Sequence, residues 1–102
     1  MSDKVVVNGK VAVIISPGFG AGWYTWNGIK ETLFDPELVS AIIDGDVEEA
    51  EAIAERKWPD AYVGGNLRQA EVVWLPEGTP FRVDEYDGSE SLYTGDDLVL
   101  IA

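Results

Sequence analysis

The chain contains no cysteine and no histidine. Missing cysteine removes disulfides, thiol nucleophiles and thiolate-held metals. Missing histidine removes the Ser-His-Asp and Cys-His relays and any imidazole-held zinc or iron. Acid–base chemistry at neutral pH would fall to a perturbed carboxylate or lysine. The usual equipment of an enzyme is absent, so the expectation is a non-enzymatic protein without cofactor or metal. Basic residues are scarce as well. Seven Lys and Arg stand against 19 Asp and Glu, a net charge of -12. Affinity for phosphate backbones comes largely from Lys and Arg, which speaks against direct nucleic-acid binding. No apolar run comes near the roughly 20 residues of a membrane span. The opening Met1-Ser2-Asp3-Lys4 lacks the layout of a secretory signal. A cytoplasmic location with no membrane partner is the expectation.

The acidic surplus has two physical consequences. It favours solubility, and it attracts basic surfaces, including the nucleic-acid-binding site of another protein. At 102 residues and 46% hydrophobic content the chain reads as a single folded domain, 1–102.

Two β-prone runs, about 3–7 and 10–16, flank Asn8-Gly9, the turn pair that accepts positive φ at both positions. In the second run Val11, Val13 and Ile15 share one face and Ala12 and Ile14 the other. A strand apolar on both faces is expected to be central or covered on both sides. Ile29 to Phe34 fits either a strand or a turn of helix. Asp35 is a good N-cap and Pro36 suits the first helical position; Phe34 could staple onto Val39. Gly45 stops that helix and Asp46 caps a second, with Glu49 placed for a capping box. Val47, Ala50, Ile53, Ala54 and Trp58 recur at helical spacing. Tyr62 to Asn66 reads as a loop. Gln69–Leu75, Phe81–Tyr86, Ser89–Tyr93 and Leu98–Ile101 read as strands separated by Pro-Gly and Asp-Gly turns. The order predicts an α+β fold: an antiparallel sheet of about five strands with an αα-hairpin on one face.

The chain is organised around Pro17 to Gly28. Gly18, Gly20 and Gly22 alternate with other residues, and Trp23, Tyr24 and Trp26 follow within four positions. The stretch follows a strand, as phosphate-binding loops do, but has neither the P-loop ending nor dinucleotide spacing, and no Lys or Arg lies between Val11 and Gly28. Two readings remain. In one, glycine lets the rings fold back onto the sheet as core. In the other, Gly18, Phe19, Gly20, Gly22, Trp23, Tyr24 and Trp26 form a binding loop, offering flat rings to a small ligand or cation, or to a protein interface.

A second candidate is acidic: Asp84, Glu85, Asp87, Glu90, then Asp96 and Asp97. The spacing is not that of a calcium-binding EF-hand loop. The segment is a solvated hairpin end, a pair of carboxylates for acid–base work, or a companion to the aromatic loop through Asp84 and Asp87. Arg82 could pair with Asp84 or across the neighbouring strand.

Gly18-Phe19-Gly20-Ala21-Gly22-Trp23-Tyr24-Thr25-Trp26 is one distinctive phrase. Phe34-Asp35-Pro36-Glu37-Leu38-Val39 is another, and Val73 to Val83 and Glu85 to Glu90 complete the set. Together they resemble a group of small acidic proteins encoded by bacteriophages and prophages. The resemblance brings no catalytic residues. It implies a setting, the bacterial host cytoplasm, with host interference or particle assembly as the task. The function expected is binding: the glycine-aromatic loop presented to a small molecule or host protein. The alternatives are an acidic nucleic-acid mimic that inhibits a host protein, or a phage assembly protein. A homodimer is a further option, because a small sheet has edges to cover.

Overall fold

The computed structural model describes residues 4–18, 22–59, 67–86, 89–96 and 98–102, with Trp26 described by its backbone alone. The elements run β1 (Val6–Val7), β2 (Lys10–Ile15), α1 (Tyr24–Asn27), α2 (Pro36–Ile43), α3 (Val47–Lys57), β3 (Glu71–Pro76), β4 (Pro80–Tyr86), β5 (Ser89–Thr94) and β6 (Leu100–Ile101). Lys30–Leu33 and Leu67–Gln69 are short 3₁₀ turns.

The α+β class holds, but the strands divide. There are two antiparallel three-stranded sheets, β1-β2-β3 and β5-β4-β6, where the sequence suggested one sheet of about five. The division follows from β2. Val11, Val13 and Ile15 face a cluster with Leu33, Phe34, Leu75, Phe81 and Ala102, and Val83 and Leu92 of the second sheet close over it. Ala12 and Ile14 face the opposite cluster with Trp23, Leu38, Val39, Ala50, Ile53 and Ala54. A strand apolar on both sides requires a cover on each, and one sheet with helices on one face cannot provide it. The result is three layers: the α2–α3 hairpin, β1-β2-β3, and β5-β4-β6. Burying each Val, Ile or Leu here stabilises by about 1.5–3 kcal/mol before chain entropy is counted.

Local signals are met where the sequence carries them. Asn8 and Gly9 take φ of 52° and 78°, and the hairpin pairs Val7 with Lys10. The Asp35 side chain accepts from the Leu38 N–H at 3.0 Å and the Asp46 side chain from the Glu49 N–H at 3.1 Å. At the end of α2 the Gly45 N–H donates to Ile42 O and the Asp46 N–H to Ala41 O. Gly45 sits at φ 75°, so the helix closes in a Schellman turn. Phe34 does not join Val39's cluster. It lies between the sheets, edge-on to Phe81 at 6.2 Å, while Val39 packs under α3.

Ion pairs tie the helices together at one end. Lys57 reaches Asp35 at 2.7 Å and Glu37 at 2.9 Å, and Arg56 reaches Glu37 at 2.8 Å. The Lys57 hydrogen bond, seconded by Arg56, holds the Glu37 carboxyl below its ordinary range, and the bond to Asp35 lifts Lys57 above its own. Lys4 donates to Ile101 O at 2.7 Å and lies 4.6 Å from the Phe34 ring centroid. Among the described residues no helix is long and apolar enough to cross a membrane.

Candidate functional site

The glycine-aromatic stretch is held by one buried carboxylate. Glu90, on β5, is 2% exposed. Its Oε1 accepts from the Ser16 N–H at 2.8 Å. Its Oε2 accepts from the N–H groups of Trp23 and Thr25, each at 2.9 Å, and from the Thr25 hydroxyl at 2.7 Å. The Glu90 N–H donates to Ser16 O at 2.9 Å, and the Ser89 hydroxyl to Pro17 O at 2.7 Å. A buried carboxylate is tolerated only when its oxygens are satisfied, and here uncharged N–H and O–H groups do so.

This arrangement explains α1. The helix is one turn long, and its N-cap residue Trp23 contributes no side-chain cap. The first N–H groups of a helix have no partners within it and favour a negative charge. Glu90 supplies that charge from 65 residues away in sequence. The other end closes on Gly28 at φ 71°, whose N–H donates to Tyr24 O. The loop that looked like a phosphate cradle thus has a resident anion, and that anion belongs to the chain.

Trp23 is fully buried, and its Nε1–H donates to Thr32 O at 2.8 Å. Of the two readings, core or offered ring, its position is core. Tyr24 is half-buried and touches both clusters. Gly22 is buried. Gly18 passes so close to Gln69 that a Cβ there would overlap the glutamine side chain. Phe19, Gly20 and Asp87 lie outside the described residues, as does the Trp26 side chain. The Tyr62–Asn66 loop and Asp97 lie outside them too.

Asp84 does not join the aromatic stretch. It is exposed on the outer face of β4, 3.1 Å from Arg82, whose guanidinium lies 5.2 Å from the Tyr93 ring centroid. Glu85 follows it on the opposite face of the strand, also exposed. The two carboxylates do not converge, and among the described residues no acidic cluster is placed to hold a metal ion. The residue that does meet the loop is Glu90. Its signal was present: Glu90 and Leu92 alternate with Ser89, Ser91 and Tyr93, which puts a carboxylate on the strand's inward face.

A different concavity opens on the helical side. Val5, Val7, Pro36, Val39, Ile43 and Trp74 line an open groove of about 290 Å³, with Ser40 and Asp44 on its rim. Ile43, Val7 and Trp74 are 56%, 51% and 37% exposed. Ser40 and Asp44 also border a second concavity, of about 260 Å³, lined by Glu37, Asp46 and Glu49. The two flank α2, one apolar and one acidic. Trp74 falls within the expected strand Gln69–Leu75, and nothing in the local sequence marks it or Ile43 as exposed. Ile43 is the last residue of α2, and Trp74 stands on β3, an edge strand.

No protein-family model matches the chain, and no curated protein or solved structure compared with it matches either.

Proposed function

We propose that this is a non-enzymatic binding module that engages a basic protein through the face formed by β1, α2 and Trp74. The observation that carries the reading is the apolar groove with Asp44 on its rim, beside a second concavity lined by carboxylates. Interfaces combine an apolar centre with a polar rim, and both are present on this face. The groove's volume of about 290 Å³ stands at the lower end of the roughly 300–1,000 Å³ of small-molecule sites, and it is open to solvent rather than enclosing, which suits a partner's side chain. The net charge of -12 selects a partner of opposite sign. The resemblance to small acidic proteins of bacteriophages and prophages gives the setting proposed with it: interference with a host protein in the bacterial cytoplasm, at a basic surface such as one that binds nucleic acid. The Gly18–Asn27 stretch is not the proposed face, because Trp23 has no surface to offer.

The test is affinity capture from a bacterial extract with the wild type and with a variant carrying Asp44→Lys and Glu49→Lys. A retained protein of basic charge, lost with the variant and kept with Ser91→Ala on the far sheet, is the expected result. Equal retention by both variants sinks the reading.

A further inference from the structure

The geometry points to the occupant of this face: a basic amphipathic helix of the partner, which lays a bulky apolar side chain into the groove and reaches Asp44 and Glu49 with lysine or arginine. The inference rests on the binding reading above and specifies its partner.

Four observations carry it. First, the groove walls are aliphatic or aromatic, and Ile43, Val7 and Trp74 present them to solvent. Secondly, Ser40 and Asp44 stand in both linings. They are four residues apart on α2 and so form one ridge. Serine makes that ridge low, and an element crossing it touches the apolar groove on one side and the carboxylates on the other. A partner helix has matching spacing, since residues three and four apart lie about 5–6 Å from each other on one face.

Thirdly, the carboxylates differ in availability. Glu37 is held by Arg56 and Lys57, and the Asp46 side chain caps α3. Asp44 and Glu49 have no cation within ion-pair distance among the described residues. Two acidic groups are therefore free to meet an incoming cation. Fourthly, the competing occupants fit poorly. A second copy would bring another -12 against the first, and nucleic acid would be repelled likewise. An added strand would pair along an edge rather than lie across α2; at β1 it would find only Val6 and Val7, and the other edge of that sheet is β3, Glu71–Pro76.

The experiment titrates the full chain with two probes by calorimetry: a short leucine–lysine peptide that forms an amphipathic helix, and oligolysine of the same length. Ile43 and Asp44 are exposed, and a lysine at the end of α2 suits the helix dipole, so both Ile43→Gln and Asp44→Lys should fold, as circular dichroism will show. The leucine–lysine peptide should bind the wild type and Ser91→Ala alike, and about tenfold or more weaker to Ile43→Gln and to Asp44→Lys. Unchanged affinity in Ile43→Gln, or oligolysine binding as tightly as the amphipathic peptide, overturns the anchored helix while leaving a basic partner in place. Failure of both peptides to bind overturns the basic-partner reading and this inference with it.

Discussion

The Glu90 carboxylate accepts the Trp23 backbone N–H at 2.9 Å, joining the second sheet to the start of a one-turn helix. Because the same carboxylate also takes the Ser16 and Thr25 N–H groups, changes at Glu90 should act on the whole Ser16–Thr25 stretch. Glu90→Gln keeps the size but turns two donors toward a site already full of donors. It should cost about 2–4 kcal/mol in chemical denaturation. Glu90→Ala leaves the donors facing a void, and added formate should raise its melting temperature more than that of the wild type. A Glu90→Gln variant as stable as the wild type would dissolve this account.

Trp23 should behave as core. Trp23→Ala should cost about 3–5 kcal/mol, a large part of the 5–15 kcal/mol that holds a small domain. Trp23→Phe should lose less, chiefly the indole bond to Thr32 O. Acrylamide quenching separates the rings: Trp74→Phe should remove an accessible emitter and Trp23→Phe a protected one.

The Lys57 link between the helices predicts a pH window. Lys57 is raised above its ordinary pKa by its bond to Asp35. Its contribution is complete below the unfolded value of about 10.4 and is lost as pH climbs through the higher folded value. Glu37 is lowered, first by its hydrogen bond to Lys57. Its contribution is present above the unfolded value of about 4.3 and is lost as pH falls through the lower folded one. The stability gap between the wild type and Lys57→Met should be level from mildly acidic to mildly alkaline pH and shrink at both extremes. The Glu37 side of the gap should be the smaller, because that carboxylate is exposed and screened by solvent.

Gly45 tests backbone conformation apart from packing. A Cβ there meets nothing within 4 Å, yet φ is 75°. Gly45→Ala should therefore cost about 1 kcal/mol through strain alone. Gly45→Asn, a side chain that tolerates this region, should cost less. Thermal unfolding of the two variants decides it.

What could be read from the sequence was what is decided within a few residues. Asn8-Gly9, Asp35-Pro36 and Gly45-Asp46 state their turns and caps locally, and the two faces of β2 follow from alternation alone. The split into two sheets was not legible. Phe81, Val83 and Leu92 alternate as well for the edge of one sheet as for a separate layer, and only the burial of both faces of β2, Val11 and Val13 on one and Ala12 and Ile14 on the other, chooses between them. Helix α1 was hidden for the same reason: Tyr24-Thr25-Trp26-Asn27 has no local cap, and its cap arrives from β5. The groove was hidden because the exposure of Ile43 and Trp74 is decided by what packs over the end of α2 and the edge strand β3, not by their local sequence.

Lys4, Arg56, Lys57 and Arg82 are all engaged within the molecule, and the other three basic residues, the exposed Lys10, Lys30 and Arg68, are far outnumbered by the 19 carboxylates. Raising ionic strength should then pull two properties in opposite directions. Screening relieves the mutual repulsion of the acidic surface and makes the fold harder to melt, while the same screening shortens the reach by which that surface draws in a cationic partner. The chain should be sturdiest in brine and most adhesive in dilute buffer.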